Sequence, residues 1–185
     1  MACLAPPMQT QQPSSILDTA RLRLRTLVVG DAPFILELVN EPSWLRFIGD
    51  RGVHSIDQAR DYIVKGPMAM FARLGFGLYL TELKDSALPI GICGLIQRDG
   101  LHDVDLGFAF LPRFWGCGYA RESAAAVLAH GLGALGLERI VAITSPDNRR
   151  SIRLLEGIGF GRERRVALAD GEAEVELYAH PANPA

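Results

Sequence analysis

The 185-residue chain is 49% hydrophobic and 22% charged, and its formal charge of -2 leaves no basic field of the kind that binds nucleic acid. No apolar run is long enough to cross a bilayer, the N-terminus lacks a secretory layout, and three irregularly spaced cysteines (Cys3, Cys93, Cys117) suggest neither a disulfide framework nor a zinc site. These features point to one cytoplasmic domain over residues 16–180, with no membrane partner, between mobile tails at 1–15 and 181–185.

Arg21-Leu22-Arg23-Leu24-Arg25 alternates with period two and predicts a strand. Asp31 is placed to cap a following helix whose first turn accommodates Pro33 and whose apolar face carries Phe34, Ile35 and Leu38. Ser55 followed by Gln58 approximates a capping box for a helix reaching Leu74, kinked near Gly66-Pro67. Together these helices are expected to cover one side of a sheet. Strand patterns at 75–83, 89–97 and 103–111, separated by turn-rich segments, predict an antiparallel meander. A helix from Gly118 to Leu135 and a strand over 137–143 follow, so strand-helix-strand requires a right-handed parallel crossover. A helix over 148–157 and two strands, 160–168 and 172–178, close the chain, with a hairpin signal at Asp170-Gly171. The expected class is α+β: a mixed, mostly antiparallel sheet with one parallel β-α-β crossover and helices on both faces.

The segment Arg113-Phe114-Trp115-Gly116-Cys117-Gly118-Tyr119-Ala120 falls between a predicted strand and a predicted helix. Glycines there let backbone N–H groups turn toward an anion, and the first helical turn adds unpaired donors and the positive end of its dipole. A phosphorylated ligand is expected, the plain alternative being a tight turn. Arg113-x-x-Gly116-x-Gly118 resembles the coenzyme A pyrophosphate loop of the GNAT superfamily of N-acyltransferases. Asn148-Arg149-Arg150-Ser151, running on to Gly159-Phe160, is similar to that family's Asn-x-x-Ser helix. Leu17-Asp18-Thr19-Ala20-Arg21-Leu22-Arg23-Leu24-Arg25 resembles the opening of the ribosomal-protein alanine N-acetyltransferase branch.

The resemblance implies acetyl-CoA as co-substrate, with the backbone of Phe108, Ala109 and Phe110 pairing with its pantetheine arm. It places Arg113, Gly116, Cys117, Gly118, Tyr119 and Ala120 around the pyrophosphate, and Asn148 and Ser151 beside the arm. Asn148 serves equally as a helix cap. Among arginines 149, 150, 153, 162, 164 and 165, one or two are expected to meet cofactor phosphates and the rest to be solvated.

Attack by an amine requires its proton to leave, so a carboxylate or a water chain ending on one is needed. Strand alternation puts Asp103, Asp105, Gly107 and Ala109 on one face, and Asp105 is the candidate base; an exposed strand carboxylate is the competing reading. The position seven residues after Asn148, a tyrosine in many relatives, is Leu155 here. Ser151 is the candidate donor to the leaving thiolate. Trp44, Phe47 and His54 occupy the segment that walls the acceptor site in the family, or else belong to the core. An acidic, aromatic-lined mouth there is expected to attract a cationic amine.

The function that follows is acetyl transfer to a primary amine, either a protein N-terminus or a small amine, by a monomer or homodimer without a metal. An acyl-CoA-binding regulatory module without turnover and an unrelated α+β scaffold stay open as alternatives.

Overall fold

The computed structural model describes residues 13–168 and 174–181. A hairpin of β1 (Ser15–Asp18) and β2 (Leu22–Thr26) opens the chain, so the strand begins where a tail was expected. Period two turns Leu22 and Leu24 into the core and the intervening arginines to the other face. Arg25 there bonds both carboxylate oxygens of Asp31 and, through Nε, Glu82. This corrects the expected cap: Asp31 makes no side-chain cap to the helix, because its carboxylate is taken by Arg25 and the Val28 N–H.

Four helices follow: α1 (Ala32–Val39), α2 (Pro42–Phe47), α3 (Ile56–Ile63) and α4 (Ala69–Leu74). The sequence did not announce α2, a short helix started by Pro42. Ser55 caps α3 by accepting from the Gln58 N–H, while Gln58 accepts from His54 N–H, one residue earlier than a strict capping box. The predicted kink is a π-helical turn, Val64–Met68, containing Pro67. Proline lacks an N–H, and the wider turn relieves its clash with the preceding one.

The remaining elements are β3 (Leu78–Leu83), β4 (Pro89–Ile96), β5 (Val104–Phe110), α5 (Tyr119–Leu132), β6 (Ile140–Thr144), α6 (Arg149–Gly157), β7 (Gly161–Val166) and β8 (Val175–Ala179). They form one sheet in the order β1-β2-β3-β4-β5-β6-β8-β7, antiparallel everywhere except between β5 and β6. The crossover through α5 explains that exception. The expected Asp170-Gly171 hairpin lies outside the described residues, as do Cys3 and most of both tails.

Two cores sandwich the sheet. Leu22, Leu24, Leu95, Leu106, Val127 and Leu155 belong to the one containing α5; Leu80 and Ile92 join α1, α2 and α3 in the other. Helices therefore cover both faces. Within the sheet, Cys93 is fully buried, and burial pushes its thiol up to about 12.

One polar contact joins the opening hairpin to α5. Glu122, in the first turn of α5, accepts from Thr19 Oγ1 (2.6 Å), Arg21 N–H (2.9 Å) and Arg21 Nε (2.7 Å). Burial alone raises this carboxyl, but the Thr19 and Arg21 bonds outweigh it and hold it below the usual carboxylate range. A carboxyl depressed in the fold adds stability above its unfolded pKa and loses it as pH falls through the folded value. Glu122→Gln is thus expected to cost about 2 kcal/mol in denaturant unfolding near neutral pH. The gap to the wild type should close in acid; a pH-independent gap would show that the charge is not responsible.

Candidate active site

The parallel ladder between β5 and β6 holds only at Val104 with Ile140 and at Asp105 with Val141. Beyond it the strands separate. Asp105 sits at the parting: Oδ1 accepts from the Ile143 N–H (3.2 Å) and Oδ2 from Arg98 Nε (2.5 Å). The side chain occupies the backbone donor that a continued ladder would need, so the carboxylate wedges the strands apart. The Leu111 N–H bonds the Ile90 carbonyl, on the β4 side. Alternation then turns the backbone groups of Phe108 and Phe110 toward the gap and those of Ala109 toward β4. Trp115 Nε1 covers the Phe110 carbonyl at 2.8 Å.

The glycine loop follows directly. Gly116 (φ 79°) and Gly118 (φ 81°) are both left-handed, a conformation that costs other residues roughly 1–2 kcal/mol. Gly118 is the N-cap of α5, whose first intrahelical bond runs from the Glu122 N–H to the Gly118 carbonyl. The N–H groups of residues 118–121 consequently lack helical partners. Arg21 steadies the loop by donating to the Cys117 carbonyl (2.9 Å) and lying 4.5 Å from the centre of the Tyr119 ring. Here the Thr19-Ala20-Arg21 motif acquires a physical role: it anchors the loop through Arg21 and the helix through Glu122.

A cleft of ≈ 1180 Å³ runs from this loop along the gap. Of the predicted residues, Trp44, Phe47, Phe108, Ala109, Phe110, Gly116, Gly118, Tyr119, Ala120, Asn148 and Ser151 line it. Arg113 is turned to Glu37 (2.5 Å) and stacks on Phe114. Cys117 is exposed and contributes its carbonyl to Arg21. His54 lines neither this cleft nor the cavity beside it; its ring nitrogens lie 3.3 Å from Asn40 Oδ1 and 3.4 Å from Asp50.

The second cavity, ≈ 260 Å³, lies along β5 on the α3 side and includes Asp105, Arg98, Tyr62 and Gly107. Trp44, Ile48, Phe108, Ala109, Ile143 and Ser151 border both, so the two meet at the gap between β5 and β6. Trp44 combines the two readings offered for it: 5% exposed in the core, with Nε1 bonded to the Gly49 carbonyl, it still walls both spaces.

The expected acidic mouth is corrected. Asp147 is paired with Arg46 at 2.8 Å, Asp105 is 1% exposed and paired with Arg98, and arginines 121, 149, 150 and 153 line the large cleft. Arg150 stacks on Trp115 at 4.7 Å. The more distal Arg162 and Arg165 instead bond Glu176. Arg98 is the residue that sequence reasoning missed: in a turn beyond β4, it has no local pattern to connect it with Asp105.

Burial raises the Asp105 carboxyl, opposed by the charge and hydrogen bond of Arg98 and by the Ile143 N–H. A carboxylate has about four acceptor sites, and only two are used here. Asn148 Oδ1 caps α6 through the Ser151 N–H (3.2 Å), leaving its amide N–H groups for the cleft. Leu155 is fully buried in the α5-side core, so that position offers no proton donor.

Residues 21–161 match the acetyltransferase (GNAT) domain family. An uncharacterized N-acetyltransferase of Bacillus subtilis, YoaA, is 32% identical over 150 residues, 80% of this chain and 84% of that protein. The crystal structure of an acetyltransferase from Agrobacterium tumefaciens shares the fold at a TM-score of 0.76 and 24% identity, covering 96% of this chain and 99% of its own. RimL, a ribosomal L7/L12 alpha-N-protein acetyltransferase in complex with coenzyme A, has TM-score 0.77 at 19% identity, covering 91% and 98%. With the domain family matched over most of its length and a split parallel strand pair beside a glycine-started helix, the chain belongs to the GNAT acetyltransferases.

Proposed function

We propose that this protein moves an acetyl group from acetyl-CoA directly to a primary amine while both are bound. The observation that carries the reading is the meeting of two cavities at an unpaired strand edge, with free helix N–H groups at the outer end of the larger. Acetyl-CoA supplies an activated thioester. The N–H groups of residues 118–121 take its pyrophosphate, and arginines 149, 150 and 153 face its remaining phosphate charge. Phe108 and Phe110 offer backbone pairing to the pantetheine arm, and Asn148 bonds it through its amide N–H groups. The RimL complex, of the same fold, supports coenzyme A as the ligand class.

In this scheme the amine enters from the smaller cavity. A backbone N–H of the β5 edge polarises the thioester carbonyl and holds its developing negative charge, an interaction worth roughly 3 kcal/mol elsewhere. Asp105 accepts the amine proton, directly or through one water. Ser151, bordering both cavities, relays a proton to the departing thiolate as the C–S bond breaks, its hydroxyl taking one back from solvent water in the cleft. Trp44 and Phe47 wall the junction.

Saturating acetyl-CoA should raise thermal stability, since a ligand at 100 times its dissociation constant adds about 2.7 kcal/mol. Gly118→Val should eliminate that shift, because a Cβ there is strained by the positive φ and meets Arg21 Nη2 at 3.3 Å. A folded variant with undiminished affinity, measured by calorimetry, would refute the cradle.

Asp105 must be deprotonated to act, so turnover should fall as pH drops through its raised pKa. Asp105→Asn is expected to lower kcat about 100-fold, flatten the acidic limb and leave acetyl-CoA affinity within about twofold. Retention of that limb in the variant would assign the titration to another group.

A further inference from the structure

Arg98 is the only side chain bonded to the candidate base, Asp105, among the described residues. Its place follows from the β4–β5 ladder: Ile96 pairs with Asp105, and Arg98, two residues farther on, is set on the same sheet face. The turn that holds it is tight. Leu101 N–H bonds the Arg98 carbonyl at 3.4 Å, Gln97 Nε2 reaches the Leu101 carbonyl at 3.4 Å, and a Cβ at Gly100 would lie 2.4 Å from the Leu168 carbonyl oxygen. Arg98 keeps 24% of its side chain exposed and Asp105 only 1%, so the guanidinium reaches from solvent to a carboxylate sealed from it. Each oxygen of that carboxylate has one bond: Oδ1 accepts from Ile143 N–H at 3.2 Å and Oδ2 from Arg98 Nε at 2.5 Å. Holding both oxygens fixes the carboxylate plane and still leaves acceptor sites for a ligand.

The surrounding charges single out this pair. Asp105 is the only carboxyl among the described residues lining the smaller cavity, where the other ionisable groups are Arg51, Tyr62 and Arg98. Burial raises the Tyr62 phenol, so it stays neutral. The nearby Asp103 has its own arginine: Arg139 Nε bonds it at 2.9 Å, and Arg139 Nη2 reaches on to Glu163 at 2.6 Å. The exposed His102 lies 3.5 Å from the other oxygen of Asp103. Two acids two positions apart are thus held by two separate cations. A buried carboxyl without a partner favours its protonated form, whereas a guanidinium in contact favours the carboxylate. On Asp105 burial is the larger influence, and the Arg98 charge is the first to oppose it.

Resting on the transferase reading above, we infer that Arg98 is a positioning residue for the reaction: it keeps Asp105 ionised and its plane fixed at the parting of β5 and β6, ready to take the amine proton. At rest the two side chains form a neutral pair. Accepting the proton leaves one uncompensated positive charge, which favours its passage onward to water.

Difference infrared spectra of protein carrying isotope-labelled aspartate follow the Asp105 carboxyl through a pH titration, its band being identified by its loss in Asp105→Asn. Arg98→Gln should move the midpoint upward by about one to three pH units. Arg98→Met, which keeps an apolar stem, should report the same shift and serves if the glutamine variant does not fold. Arg98→Lys retains the charge and should recover at least about half of the shift. Arg139→Gln, which unpairs Asp103 instead, should leave the midpoint in place. The same proteins are assayed for thiol release from acetyl-CoA with n-butylamine. Below the wild-type midpoint, Arg98→Gln should lower turnover at least about tenfold. The ratio to wild type, in which the amine's own ionisation cancels, should rise toward unity as pH climbs through the variant's midpoint. An unmoved midpoint without the guanidinium, a lysine variant no better than glutamine, or an equal shift in Arg139→Gln overturns the positioning role. So does a rate ratio that ignores pH while the midpoint moves, which also removes Asp105 as the base. The expected titration with no thiol release by the wild type supports the hold of Arg98 on Asp105 and counts against the transferase reading.

Discussion

A strand pair that cannot continue governs this molecule. Parallel β5 and β6 are brought together by the α5 crossover, and two residue pairs later Asp105 takes the Ile143 N–H with its side chain. From there on, Phe108 and Phe110 present main-chain groups to an open gap. An unpaired edge inside a protein is costly unless something fills it. Here it becomes the inner wall of both cavities, so the same constraint that interrupts the sheet creates the place where two ligands can meet.

The glycine loop depends on that edge being anchored from outside the sheet. Gly116 and Gly118 supply the positive φ angles, but freedom alone would leave the loop in many conformations. Arg21 restricts it by bonding the Cys117 carbonyl, stacking on Tyr119 and pairing with Glu122 in the first turn of α5. A hairpin residue nearly a hundred positions away thus holds the donor groups of residues 118–121 open. Glu122 contributes twice, as a counter-charge to Arg21 and as an anion near the positive end of a helix dipole.

Electrostatics distinguish the two cavities. Arginines along the large cleft suit a ligand bearing several phosphates. In the small cavity, a single buried carboxylate is committed to a guanidinium and to the strand wedge, leaving positive charge in excess. Asp105 therefore shapes the site, and the same residue couples strand separation to the local charge.

Much was legible in the chain itself. Period-two alternation located β2 and the meander, glycine spacing located the loop, and Asn148 announced α6, because each of these depends on neighbours in sequence. The limits show equally clear causes. Helix α2 is too short to show periodicity, and β1 carries no pattern until β2 pairs with it. Asp31 looked like a cap, since nothing local reveals that Arg25 claims its carboxylate. Asp105 read as an acid on an open face, because its neutralising partner stands in a separate turn. The sequence by itself determined most of the elements, the place of the glycine loop and the family. Only the tertiary structure decided where the strands part, which arginines line the large cleft and what charge the smaller cavity carries, since those are sums over residues that meet only when the sheet closes around them.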